Sequence, residues 1–154
     1  MLVFAAAFLV NLSAIAQINT PAMQLLQFDD EGNTFTLMAP KGAKVKKHSW
    51  GSIEITSGKK FQLDIWVSSF RTNIAEVKKS HEENDINKLK KYLIDTPKGI
   101  LYQSDLWGET QFHLYTYKDI GELTVKCEDL KDGTAYSEQQ ARVMFAACQS
   151  IQKK

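Results

Sequence analysis

Apolar and polar residues alternate with a period of two along several short stretches of this chain. In Phe61-Gln-Leu-Asp-Ile-Trp-Val-Ser68 the alternation is unbroken, with Phe61, Leu63, Ile65 and Val67 on one face and Gln62, Asp64, Trp66 and Ser68 on the other. That is the pattern of a half-buried strand. Thr34 to Ala39 alternates likewise and stops at Pro40-Lys-Gly42, a turn signal. Ala43 to His48 and Gly51 to Thr56 read as a hairpin turning at Ser49-Trp50-Gly51. Ahead of these, Gln17 to Gly32 is a partly extended lead-in that carries an apolar patch at Met23, Leu25, Leu26 and Phe28.

From Asn73 to about Ile94 the composition shifts to Lys, Glu, Asn and Leu without Gly or Pro, which predicts one long helix. Its apolar stripe begins at Ile74 and Val77 and resumes, rotated, at Ile86, Leu89 and Leu93, so a bend is expected near Glu83-Asn84-Asp85. Thr96-Pro97-Lys-Gly99 ends it. Three strands follow, Ile100 to Leu106, Thr110 to Tyr117 and Glu122 to Cys127, as an antiparallel meander. A capping box at Ser137-Glu-Gln-Gln140 opens a closing helix to about Ile151, whose stripe is Ala141, Met144, Phe145, Cys148 and Ile151. The predicted fold class is α+β: a mainly antiparallel sheet with one long helix and one C-terminal helix packed on it.

The first residues change where such a fold would work. Met1 to Val10 is apolar and ends at Asn11, and Ser13-Ala-Ile-Ala16 has the small-x-small spacing of a signal peptidase site. Residues 1–16 are therefore read as a signal peptide and residues 17–154 as a single globular domain, secreted or periplasmic. No Lys or Arg precedes the apolar run, so a basic leader is expected upstream. The run is too short to span a bilayer, which takes roughly 20 apolar residues, so no stable membrane insertion is expected after cleavage.

Export bears on the two cysteines, because the compartment beyond the inner membrane is oxidising. Leu123, Val125 and Cys127 alternate onto the apolar face of their strand, and Cys148 lies in the stripe of the closing helix. Both sulfurs thus sit on core-facing surfaces of neighbouring elements, which favours a Cys127–Cys148 disulfide over two buried thiols.

The order of elements, together with Phe35-Thr-Leu-Met-Ala-Pro40-Lys-Gly42 and the strand-turn-helix ending at Ser137 to Ile151, resembles the PsbP-like sandwich of PsbP subunits and small periplasmic DcrB-type proteins. The resemblance implies an accessory or binding protein. It carries over no site residues, since no site motif matches.

Charge and motifs narrow the chemistry. Lys and Arg total 19 against 18 Asp and Glu, which gives no electrostatic reason to expect nucleic acid. His48, His81 and His113 lie on different elements without zinc-ligand spacing, so no metal or cofactor is expected, and His81 among lysines and glutamates reads as a solvated histidine. There is no nucleophile elbow or phosphate loop, and no catalytic residue is assigned. The remaining enzymatic reading is a hydrolase using a carboxylate pair, Asp64 with Asp105 or Glu54 with Asp64. A sheet face turned from the closing helix would gather His113, Tyr115, Tyr117 and Trp66, with Trp107 ending the next strand. Rings mixed with hydrogen-bonding groups suit a binding surface, and equally a floor under the long helix. The leading expectation is an exported, non-enzymatic binding or accessory protein that recognises another exported or envelope protein. The alternative is a secreted inhibitor or immunity-type protein.

Overall fold

A computed structural model describes residues 21–154, and the expected signal peptide lies outside them. The chain runs β1 (Met23–Asp30), β2 (Asn33–Pro40), β3 (Lys44–Lys47), β4 (Ile53–Thr56), β5 (Gln62–Ser68), α1 (Ile74–Glu82), β6 (Asn87–Thr96), β7 (Gly99–Leu106), β8 (Glu109–Ile120), β9 (Leu123–Asp129), α2 (Glu138–Gln149) and β10 (Gln152–Lys153). The fold is α+β and its named strands pair antiparallel. They form a three-stranded sheet, β1-β2-β10, and a seven-stranded sheet, β3-β4-β5-β9-β8-β7-β6.

The long helix is not what forms between Asn73 and Ile94. Asn73 caps α1 by accepting from the Ala75 amide, but the helix ends at Glu82. At the expected bend, Asn84 Oδ1 accepts from the Ile86 and Asn87 amides, an Asx turn that stops the helix and launches a strand. β6 then pairs with β7, with register shifts between Leu89 and Lys91 and between Tyr92 and Ile94. Each irregularity inserts a residue and breaks the two-residue period. Leu89 and Tyr92 therefore reach the same cluster at a spacing of three, which imitates a helical stripe. Sheet pairing also overrides the helix propensity of the lysines, a weak preference per residue.

Elsewhere the periodicities hold. The core joins Phe28, Phe35, Leu37 and Ala39 of the small sheet to Ile53, Ile55, Leu63, Ile65, Leu101, Leu114 and Val125 of the large one. Ala141, Met144, Phe145 and Cys148 of α2 complete it, with Ile151 just beyond the helix end. The Ser137–Gln140 capping box is formed. α2 comes so close to the sheet that a Cβ at Gly99 would lie 3.3 Å from the Phe145 ring and 3.1 Å from Thr116 Cγ2. After α2, the Met38 amide donates to Ser150 Oγ at 2.8 Å, fastening β2 of the small sheet to the C-terminal end of the helix.

Cys127 and Cys148 form a disulfide, with Cα atoms 5.7 Å apart and a sequence separation of 21. It ties β9 to α2 and closes the intervening chain into a loop. Replacing both residues, Cys127→Ala with Cys148→Ala, is expected to lower the free energy of unfolding by about 3 kcal/mol, the chain-entropy value for such a loop. Urea denaturation of the two proteins checks the difference.

Candidate binding cleft

α1 covers part of the back face of the large sheet, the face turned from α2. Ile74 and Val77 pack on Ile100, Tyr102 and Tyr115, yet no residue of α1 is itself fully buried. Tyr115 is thus floor beneath the helix, and burial raises the pKa of its phenol. Tyr117 is half-buried, donates from its hydroxyl to Pro97 O at 3.1 Å and lies under the Lys98 ammonium. Trp66 is half-buried as well: its indole donates to Asp64 Oδ2 at 2.8 Å and Lys126 stands over its ring. Trp107 lies apart from these three, 84% exposed in the β7–β8 turn.

His113 takes a different place. Its Nδ1 lies 2.7 Å from Asp129 Oδ2, and the Leu114 amide donates to Asp129 Oδ1 at 2.8 Å. The β8–β9 ladder ends at the Tyr115–Glu128 pair. Leu114 would next meet Asp129, and the Asp129 side chain supplies the acceptor there. As a carboxylate only accepts, His113 Nδ1 is the donor. The carboxylate is fully buried.

Where β9 leaves β8 a cleft of about 280 Å³ opens. Its floor is Tyr102 and His113, with Gln111 and Asn87 beside them, and its far wall is the Leu130–Thr134 segment. That wall is braced from behind: Gln62 donates to Asp132 at 2.9 Å, and the buried Tyr136 hydroxyl donates to Gln62 Oε1. Hydrogen bonds from Thr134 and Gln62 keep the Asp132 carboxyl below its ordinary pKa. A second hollow of about 320 Å³ adjoins, sharing His81 and Lys131 and lined also by Glu76, Ser80, Lys126 and Glu128.

His81 divides the two hollows and is half-buried rather than solvated, its ring 4.5 Å from that of Tyr102. Burial lowers its pKa, and the Lys131 ammonium lowers it further. Its Nδ1 is buried with no hydrogen-bond partner among the described residues, and the same is true of Asn87 Oδ1. These residues, with Tyr102, Gln111 and Asp129, are not marked by any local motif. They converge only through strand pairing.

The expected carboxylate pairs fare unequally. Glu54 and Asp64 are cross-strand partners, but Glu54 is bonded to His48 and Asp64 to Trp66. Asp105, on β7, is separated from β5 by β8 and β9 and caps the Gly108 amide. None of the three lines either hollow. No known family model matches this chain, and no curated protein matches it.

Two outcomes follow from this geometry. Asp129→Ala leaves the Leu114 amide and His113 Nδ1 without their acceptor, and should destabilise the fold by about 3 kcal/mol in chemical denaturation. His81 has a folded-state pKa below its unfolded value, so its contribution to stability is present above about pH 6.5 and is lost as pH falls through the folded value. Melting temperatures of the wild type should therefore drop more between neutral pH and pH 5 than those of His81→Gln, and parallel curves would show that the ring is not held neutral by burial.

Proposed function

We propose that this chain is an exported, non-enzymatic binding or accessory protein, PsbP-like in kind, which recognises a protein partner through the end of the large sheet that carries Trp107. The observation that carries the reading is the backbone of that residue. Trp107 and Gly108 link β7 to β8 with φ of 53° and 88°. A two-residue hairpin of this kind favours Asn-Gly, and a bulky residue held in the left-handed region costs of order 1 kcal/mol. The indole recovers nothing by burial, since the side chain stands in solvent. A strained and exposed tryptophan suits an anchor whose stabilisation comes from a partner.

Ile86, 63% exposed, precedes Asn87, the residue that pairs with Leu106 next to Trp107, so a second apolar side chain belongs to the same end of the sheet. Export is supported by the Cys127–Cys148 bridge together with the apolar leader. Among the described residues no helix is long and apolar enough to cross a membrane.

The protruding hairpin equally favours a second reading, a secreted inhibitor or immunity-type protein that inserts Trp107 into the cleft of an enzyme. Nothing in the placement of Asp64 and Asp105 supports a hydrolase. Affinity capture from the exported fraction of the source cell, with wild type and Trp107→Ser side by side, checks the proposal. A partner is expected to be retained by the wild type and lost by the variant without loss of melting temperature. Inhibition of a captured enzyme would select the second reading, and equal retention by both proteins would remove Trp107 as the anchor.

A further inference from the structure

We propose that the cleft between His113 and the Leu130–Thr134 wall is a binding site for a small, neutral, hydroxyl-rich molecule of about the size of one sugar ring. The proposal is separate from the docking of a protein at Trp107 and does not require it. Size comes first: about 280 Å³ lies just under the ~300 Å³ at which pockets begin to take drug-sized ligands.

Charge comes next. The ion-pairing groups inside are already matched, His113 with Asp129 at 2.7 Å and Lys131 with Glu128 at 3.1 Å, and the half-buried His81, whose pKa burial lowers, stands outside any ion pair among the described residues. An ionic ligand would be desolvated here without an unpaired counter-charge to meet it, which is unfavourable. The groups that remain without partners are neutral. Asn87 Oδ1 and His81 Nδ1 are buried and unpaired among the described residues. Asn84 uses its Oδ1 on two backbone amides, which leaves its Nδ2 as a donor at the rim.

These groups favour a hydroxyl over other neutral chemistry. Asn87 Nδ2 lies 3.3 Å from His113 Nε2. Turning the amide over would put Oδ1 there and leave Nδ2 unpaired, so in either orientation one polar atom of the amide lacks a partner. A neutral imidazole likewise presents either a donor or an acceptor at Nδ1. A hydroxyl both donates and accepts, and so satisfies every one of these arrangements. A carboxylate or phosphate ester meets only the donors, and an ammonium only the acceptors. Leu106, Leu130 and the Tyr102 ring supply apolar wall for the C–H face of a sugar.

Nuclear magnetic resonance titration with neutral monosaccharides (glucose, galactose, mannose, N-acetylglucosamine) and two acidic controls, glucuronate and glucose 6-phosphate, tests the inference. At least one neutral sugar should give saturable shifts at Asn87, Gln111 and Leu130–Thr134 in the millimolar range or below. Asn87→Ala should weaken that binding about tenfold or more, the loss of a hydrogen bond to a buried group. Gln111→Ala gives the same reading should Asn87→Ala fail to fold. The inference is overturned if no neutral sugar saturates, if an acidic control binds more tightly, or if binding survives the substitutions in folded protein. Capture of a protein partner through Trp107 would be untouched by any of these results.

Discussion

The Asp129 carboxylate is buried at the one place where β9 parts from β8, and both of its oxygens are used there. A buried charge without partners would cost several kcal/mol, so the chain is constrained to bring the Leu114 amide and the His113 ring to it. The consequence is geometric more than energetic. The ladder between β8 and β9 ends at Glu128, β9 stays with β5 through Leu63, and the space left beside β8 becomes the cleft. His113 is held with Nδ1 toward the carboxylate, and its Nε2 meets Gln111 Oε1 at 3.2 Å. The disulfide acts on the same region from the other side: Cys127 precedes Asp129 by two residues, and the bridge to Cys148 closes the segment that contains the cleft wall.

The large sheet has two faces, and the chain covers them unequally. One carries α2 and the small sheet over a continuous apolar core. Among the described residues the other has only α1, nine residues long and so about 14 Å in length, against seven strands spaced about 4.8 Å apart. A helix of that size shelters two or three strands. It covers Ile100, Tyr102 and Tyr115 and leaves Trp66, Tyr117 and Lys126 only half-buried. The two hollows lie along its border with the loop after β9, where cover gives way to open sheet.

Much of this was legible in the sequence because it rests on uninterrupted periods. The strand from Gln62 to Ser68, the stripe of α2, the Ser137 capping box and the bridged cysteines each follow from residues that keep their spacing. β6 was not legible, because Ile86, Leu89 and Leu93 have helical spacing and its lysines favour a helix, whereas the two irregularities send Leu89 and Leu93 to different clusters. The cleft was hidden for another reason. His81 is flanked by lysine and glutamate and looks solvated, while its ring packs on Tyr102, a residue of β7 that is remote in sequence. Asp129 looks like a polar strand end, and its role exists only because β8 continues past the point where β9 turns away.

The edges of the large sheet limit how a partner can bind. β3 bears Lys44, Lys46 and Lys47 on one edge, and β6 bears Lys88, Lys90 and Lys91 on the other, together with its register shifts. Charged, irregular edges oppose the addition of another strand, because a neighbour would bury lysines against its own backbone. Asp95 relieves part of this charge by pairing with Lys78 of α1 at 2.7 Å, which fastens the short helix to the edge it borders. With strand addition disfavoured on both sides of this sheet, its accessible surface lies at its ends and on its half-covered back face. Those are also the regions that hold the strained turn at Trp107 and the polar atoms of His81 and Asn87 that have no partner among the described residues. The lysines along the edges, the strained turn and the buried polar atoms thus belong to one arrangement, in which the sheet is closed to added strands along its length and open at one end.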